Sequence, residues 1–131
     1  MTSFGITVTN TSIGATTQYV LWFQTVNRLI SGSFIRLVFP STLLLNLSGT
    51  TCSFSASGIC LFLNSTVINL ALNASVNALT NISVILSNMV NPTTTTPTSS
   101  ILVTTYYSDI NSVVDQISSG LSVTCSPIIL K

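Results

Sequence analysis

The chain of 131 residues carries three basic and two acidic side chains and no histidine, so only 4% of its residues are charged. Globular domains usually carry about a quarter charged residues. So few cations cannot neutralise a phosphate backbone, which argues against nucleic-acid binding. The length fits one domain, residues 1–131.

The first half of the chain predicts short strands. Residues 4–10, 18–26 and 33–39 alternate apolar and polar side chains or are rich in the aromatic and β-branched residues that strands favour. The third run places Ile35 and Leu37 inward and Arg36 outward, and it stops at Pro40 because proline cannot donate to a ladder. Two further β-type runs, residues 50–54 and 59–63, then predict a hairpin or a tight loop around residues 55–58.

Residues 66–88 alternate with a period of two. Their even positions hold aliphatic side chains such as Ile68, Leu70 and Val84, and their odd positions are rich in Asn and Ser. Successive side chains of a strand point to opposite faces, whereas a helix would scatter the aliphatic set around its circumference. At about 3.3 Å per residue, a single strand would be several times the usual length. We therefore expect a break near residues 77–80 and two strands joined by a tight connection.

The last third is less regular. The Thr-, Pro- and Ser-rich segment from Thr93 to Ser100 predicts an extended internal linker. Residues 101–107 and 121–125 predict two more strands. Between them, residues 109–119 break the alternation. Apolar residues at helical spacing there allow one short helix or a loop with buried anchors: Ile110, Val113, Val114 and Ile117.

About seven to nine short strands with frequent turn signals predict an all-β fold, an Ig-like or Greek-key antiparallel β-sandwich. A parallel α/β fold would need intervening helices, and none is visible. No apolar run reaches the roughly 18 residues of a membrane span, because polar residues interrupt each one. Residues 1–5 lack the features of a signal peptide, so we expect that a signal was removed or that this is a piece of a longer chain.

The three cysteines indicate in which cellular compartment the protein resides. Cys52 and Cys60 close a short loop between two β-type runs, a spacing that a hairpin can bridge with Cα atoms less than about 7 Å apart. The sequence therefore predicts a disulfide, with two free thiols in a cytosolic core as the alternative. Cys125 is then either a buried, unpaired thiol beside Leu121 and Val123 or a partner in an intermolecular bond. Disulfide and composition together predict an extracellular or cell-surface location.

Five N-x-[ST] sequences are candidate glycosylation sites: Asn10, Asn46, Asn64, Asn73 and Asn81. Two of them, Asn73 and Asn81, lie on the outward row of residues 66–88. Covalent glycans would supply the solubility that charge does not. Plain solvated asparagines are the alternative, and the Thr-rich linker either carries O-glycans or is bare.

Site chemistry is sparse. The two carboxylates, Asp109 and Asp115, fall in one predicted loop region with no histidine or glutamate to act beside them. Three cysteines without a CxxC spacing or a histidine do not make a zinc site. We therefore expect no enzyme, no cofactor and no metal centre.

The order of these features resembles a known group of modules. The segments GATTQYVLWFQT and ISGSFIRLVFP, then the Cys52 and Cys60 pair, then SVILSNMVNP and SSILVTTYY, are similar to the repeated β-sandwich modules of large secreted, cell-surface proteins of ciliate protists. The resemblance covers the chain from Phe4 to Cys125. It implies an extracellular structural module, usually arranged in tandem and without enzymatic residues.

Two hypotheses follow. The first is a structural subunit or repeat unit of an extracellular filament or surface coat, which assembles with copies of itself through strand edges. The alternative is an adhesin or pilus-type module, in which Trp22, Tyr106 and Tyr107 stack on a sugar. The terminal apolar segments are the predicted assembly strands, because almost no charge is available to protect a sheet edge. Their residues are Phe4, Ile6, Val8, Ile128, Ile129 and Leu130.

Overall fold

A computed structural model describes residues 3–43, 45–107 and 113–127. Within these ranges the chain forms nine β-strands and no helix. The strands are β1 (Phe4–Val8), β2 (Thr16–Gln24), β3 (Phe34–Val38), β4 (Thr51–Phe54), β5 (Gly58–Asn64), β6 (Val67–Leu72), β7 (Asn81–Val90), β8 (Leu102–Tyr106) and β9 (Val113–Ile117).

The strands make two antiparallel sheets. A four-stranded sheet has the order β1-β2-β7-β4, and a five-stranded sheet has the order β5-β6-β3-β8-β9. Neighbours such as β2 and β7, or β3 and β8, are far apart in the chain, so the connections cross repeatedly between the sheets. The predicted all-β sandwich is confirmed, with a strand number at the upper end of the expected range.

The core lies between the two sheets. Strands β2, β3 and β6 bury every second residue, and β7 does so as far as Leu86, as the alternation of the sequence predicts. Asn88 then adopts a positive φ of 61°, and Met89 rather than Asn88 returns to the core. The largest fully buried side chains include Tyr19, Phe23 and Leu70. Burial of such aliphatic and aromatic side chains, at about 25 cal/mol per Å², is the main force that joins the sheets.

Residues 66–88 divide into two strands, but these strands belong to different sheets. β6 ends at Leu72 in the five-stranded sheet, and β7 begins at Asn81 in the four-stranded sheet. The connection is therefore a crossing of the sandwich rather than the tight turn that we expected. Thr25 holds it in place, because its hydroxyl donates to the Asn77 carbonyl at 2.9 Å and accepts from the Thr80 amide at 3.0 Å.

One local prediction holds in its second form and another is wrong. β4 and β5 are joined by a tight loop at residues 55–57 and do not form a hairpin, because β4 pairs with β7 while β5 pairs with β6 in the other sheet. Residues 113–117 form neither a helix nor a loop but strand β9, which pairs with β8. The expected anchor Ile110 lies outside the described residues.

Residues 121–125 alternate as predicted, with Leu121, Val123 and Cys125 buried, yet they form no strand. They bind the linker instead. The Thr98 amide donates to the Val123 carbonyl at 3.0 Å, and the Thr98 hydroxyl accepts from the Val123 amide at 2.9 Å. The segment from Thr93 to Ser100 is thus tied to the body of the domain at its buried Thr98.

The first and last described segments run side by side in the same direction. Gly120 lies so close to Phe4 that a Cβ on it would stand 2.6 Å from a ring carbon, and its φ of +94° also favours glycine. An isolated parallel bridge joins Ser12 to Ser126. There the Ser126 amide donates to the Thr11 carbonyl at 2.8 Å. The chain from Gly120 to Ser126 therefore accompanies the chain from Phe4 to Ser12.

Candidate assembly surface

The side of the five-stranded sheet that faces away from the core is apolar over most of its area. Residues directly opposite each other on neighbouring strands share a face, so the register arranges the outward side chains in three rows, which we call the outer face. The first row is Ile59, Ala71, Phe34, Tyr106 and Val113. The second row is Leu61, Asn69, Arg36, Thr104 and Gln116. The third row is Asn64, Val67, Val38 and Leu102, with Leu63 next to Asn64 at a bulge of β5.

This composition departs from the usual pattern of antiparallel sheets, in which one side packs on the core and the other is polar. Strand β3 carries apolar side chains on both sides of its backbone, since Ile35 and Leu37 are buried while Phe34 and Val38 point outward and are half-buried. β5 and β8 also carry apolar side chains on both sides of the backbone. The outer face is thus a second apolar surface that the core of this domain does not cover.

Arg36 is the one charged side chain of the outer face among the described residues. Its Nε donates to Asn69 Oδ1 at 2.9 Å. Its guanidinium carbon lies 5.7 Å from the ring centre of Phe34 and 5.8 Å from that of Tyr106, within the range of cation–π attraction. These two rings stack at 4.8 Å. The hydrogen bond to the Asn69 amide and the attraction to both rings therefore keep the guanidinium next to the Phe34–Tyr106 pair.

The four-stranded sheet presents a different surface. Its outward positions are mostly hydroxyl and amide side chains: Thr7, Gln18, Gln24, Thr51, Ser53, Ser55, Asn81, Ser83 and Ser87. Val20, Trp22, Ile85 and Val90 are the apolar members, and the Trp22 indole lies over Gly5, where a Cβ would stand 2.6 Å from its Nε1. The molecule therefore has two unlike faces, one largely polar and one largely apolar.

Comparisons with known proteins support the fold and give no family. No family profile and no curated protein matches the chain. Among solved structures, the chain is similar to the crystal structure of BslA, a bacterial hydrophobin, with a TM-score of 0.58. The two share 12% sequence identity over 96% of this chain and 100% of that one. At this identity the similarity shows a shared fold alone.

Cys52 and Cys60 are joined by a disulfide, with their Cα atoms 6.1 Å apart. Because Cys52 lies on β4 and Cys60 on β5, the bond links the two sheets and does not close a hairpin. Cys125 is a free, buried thiol, and burial raises its pKa. Its alternative role as an intermolecular partner would require it to leave the core.

All five sequon asparagines are exposed. In three of them, Asn10, Asn46 and Asn64, the side-chain oxygen accepts the amide hydrogen of the residue two positions on, in an Asx turn. Asn73 and Asn81 flank the segment that crosses between the sheets. Of the five, Asn64 belongs to the outer face, because it lies opposite Val67 at the end of the third row. They stay predicted glycosylation sites.

The predicted assembly residues fall into two groups. Phe4, Ile6 and Val8 lie on β1, which is an edge strand of the four-stranded sheet, and their side chains are half-buried against the core. Only the backbone of this strand is therefore available at the edge. Ile128, Ile129 and Leu130 lie outside the described residues.

The carboxylates do not form a common site within the described residues. Asp115 is buried on β9, where its carboxylate accepts the Val26 and Asn27 amides at 3.3 Å and the Asn27 side-chain amide at 3.0 Å. It joins β9 to the loop that follows β2. Asp109 lies outside the described residues. No group of three or more His, Cys, Asp or Glu that could hold a metal occurs in the part of the chain that is described.

The aromatic trio of the adhesin hypothesis is not brought together. Trp22 points outward from the four-stranded sheet, whereas Tyr106 lies on the opposite side of the sandwich. Of the residues described, none belongs to a helix long and apolar enough to cross a membrane. The feature that the sequence analysis did not identify is the outer face. Its signal was present in runs such as residues 34–39 and 59–63, where apolar side chains occupy both sides of a strand.

Proposed function

We propose that this chain is a structural subunit or repeat unit of an extracellular filament or surface coat, that it has no enzymatic activity, and that it associates with copies of itself. The outer face is the observation that carries the proposal. An uncovered apolar surface on a domain with almost no charge favours association, because neither repulsion nor hydration keeps the molecules apart.

The size of the outer face indicates what kind of association to expect. Five strands about 4.8 Å apart and three rows along the strands give an area of about 24 Å by 17 Å, or about 400 Å². A stable dimer buries about 800 Å² per partner. One such contact is therefore weak, and it becomes effective where each subunit makes several contacts at once, as in a filament or a layer.

Other features support an extracellular location. Disulfides persist in oxidising compartments, and the Cys52–Cys60 bond links two sheets of this domain. Glycans on Asn10, Asn46, Asn73 and Asn81 would hydrate the molecule away from the outer face, whereas a glycan on Asn64 would lie at the end of its third row. The fold that the chain shares with a protein named a bacterial hydrophobin, and the resemblance to modules of ciliate surface proteins, agree with a structural role.

Strand edges offer a further route of assembly. The first strand, β1, lies at a sheet edge, where a segment of a neighbouring subunit could add to it through main-chain hydrogen bonds. If residues 128–130 of one subunit perform this addition, the contact is head-to-tail and propagates into a filament. Separate deletions of residues 1–8 and 127–131 test this route, and assembly equal to that of the parent protein in both would exclude it.

Matched substitutions on the two sheets test the proposal. Leu102 on the outer face and Ile85 on the four-stranded sheet are exposed to 36% and 37%, and both lie within strands. We expect Leu102→Lys to reduce assembly in sedimentation and electron microscopy, because it places a charge on the outer face. Ile85→Lys should assemble as the parent does. Equal behaviour of the two variants, or a parent protein that stays monomeric at high concentration, would refute the proposal.

A further inference from the structure

We propose that β5 pairs with β5 of a second copy across a two-fold axis at Leu61, so that the five-stranded sheets of two subunits become one continuous sheet. This inference rests on the self-association proposed above and names the partner and the register of one of its contacts.

The hydrogen-bond pattern shows which backbone groups of β5 are available. In an antiparallel ladder every second residue bonds to the neighbouring strand. The Asn73 amide donates to the Ser57 carbonyl at 3.1 Å, so Ser57, and with it Ile59 and Leu61, directs its backbone groups toward β6. The amides and carbonyls of the intervening residues, from Gly58 to Phe62, therefore point away from β6. Within the described chain they have no hydrogen-bond partner.

The outward side chains of β5 are exposed and uncharged. Ile59 is 59% exposed, Leu61 is 43% exposed and Leu63 is 52% exposed. The strand has seven residues and contains neither a charged residue nor a proline. Natural monomers protect sheet edges with such residues or with bulges, and an apolar edge without them pairs readily with another strand. The bulge of β5 lies beyond Phe62, so residues 58–62 form the regular part of this edge.

A two-fold axis at Leu61 allows β5 to pair in antiparallel register with β5 of the second subunit. Leu61 then faces Leu61 of the partner subunit, and Ile59 faces Leu63 of the partner subunit. Cys60 exchanges both backbone hydrogen bonds with Phe62 of the partner subunit. Every pair of outward side chains is apolar, and no like charges oppose each other.

The geometry of the domain is compatible with this contact. The contact would also extend the outer face across two subunits. The Cys60 side chain turns toward Cys52 and leaves the edge of β5 clear. Ile59 and Leu61 end the first and second rows, so pairing at β5 joins the rows of two subunits. The outer face of the pair then measures about 800 Å², the area that one partner contributes to a stable interface.

Cysteine cross-linking tests the register. Residues that face each other in a pair without hydrogen bonds have Cα atoms about 4.5 Å apart, close enough for a disulfide. With glutathione disulfide as the oxidant, Leu61→Cys should form covalent dimers at least about tenfold faster than Leu79→Cys, an exposed residue outside the strands. Ile59→Cys mixed with Leu63→Cys should cross-link faster than either alone. Rates equal to those of Leu79→Cys would overturn the proposal.

A charge exchange tests the same contact without oxidation. Leu61→Lys and Leu61→Asp should each lower the fraction of dimer in sedimentation velocity, because like charges then face each other. An equimolar mixture should restore it, since Lys then faces Asp. No restoration would overturn the pairing at Leu61. If β5 fails these tests while Leu102→Lys still reduces assembly, the proposed function stands without this contact; if both fail, neither stands.

Discussion

Removal of the disulfide tests how firmly the two sheets are joined at this side of the sandwich. The bond connects residues with a sequence separation of 8. For a loop of this length, the chain-entropy relation gives a stabilisation of about 2.5 kcal/mol at 25 °C. A chain of this size has an unfolding entropy of about 0.28 kcal/mol/K near its midpoint. Replacing both Cys52 and Cys60 by Ala should therefore lower the melting temperature by about 9 °C.

The assay is thermal and urea unfolding followed by circular dichroism, with three matched samples. The parent protein is measured oxidised and reduced, and the double alanine variant is measured beside them. Reduction isolates the bond, because it keeps the sulfur atoms, whereas the alanine variant also removes part of the packing of two half-buried side chains. The free thiol Cys125 is kept in every sample so that its burial does not differ.

The location of the bond adds a second observable. The lower global stability should raise amide hydrogen exchange throughout the core on reduction. Because the bond joins β4 and β5, both at sheet edges, the rise should be larger still in these two strands. A change of less than about 3 °C on reduction would refute the loop-closure reasoning. A rise of exchange in β4 and β5 no larger than in the other strands would refute the view that the bond also acts locally at this side.

Three further predictions concern other parts of the domain. Asp115→Ala should destabilise the fold by about 2 kcal/mol in urea unfolding, because three hydrogen bonds to a buried carboxylate are lost, whereas the exposed neighbour Gln116→Ala should change it little. Burial, and then the charge of Cys125, raise the pKa of Tyr19. Burial also raises the pKa of Cys125. Because the unfolded thiol ionises near pH 8.5 and the unfolded phenol near pH 10, both earlier than in the folded protein, stability should start to fall above about pH 8.5 and fall more steeply above about pH 10, and Tyr19→Phe should weaken the steeper part. In native material, glycopeptide mass spectrometry should find sugar on at least one of Asn73 and Asn81, and bare asparagine at all five sequons from a glycosylating host would contradict that expectation.

The fold was predictable wherever burial alternates along the chain. β2, β3, β6 and β7 follow that rule, because each has one side on the core. β9 was missed because Asp115 occupies an inward position, where a carboxylate breaks the apolar pattern. Its stabilising partners, Val26 and Asn27, are distant in the chain, so no local signal could identify them. The sheet to which a strand belongs is also decided by distant contacts, and for this reason the local sequence does not distinguish a hairpin of β4 and β5 from a tight loop between two sheets.

The candidate site was less accessible to sequence reasoning than the fold. The alternation identifies an inward side, and the other side was assumed to be polar. The outer face results from the register in which the five strands pair. This register places Ile59, Phe34 and Tyr106 in one row although they are far apart in the chain. Each of these residues alone is an ordinary exposed or half-buried apolar side chain. Only the pairing of the strands makes them a continuous surface.

The parallel run of the first and last described segments determines how the domain responds to tension. A pull that draws Phe4 and Ser126 apart along the sandwich loads the contacts between Ser126, Thr11 and Ile13 lengthwise, so that their hydrogen bonds must break together. Bonds loaded in this way resist more force than bonds that open one after another. Phe4 packs against Gly120 at the other end of the same two segments, so this contact is loaded by the same pull. We therefore expect a longitudinal pull to load these contacts before it separates the two sheets.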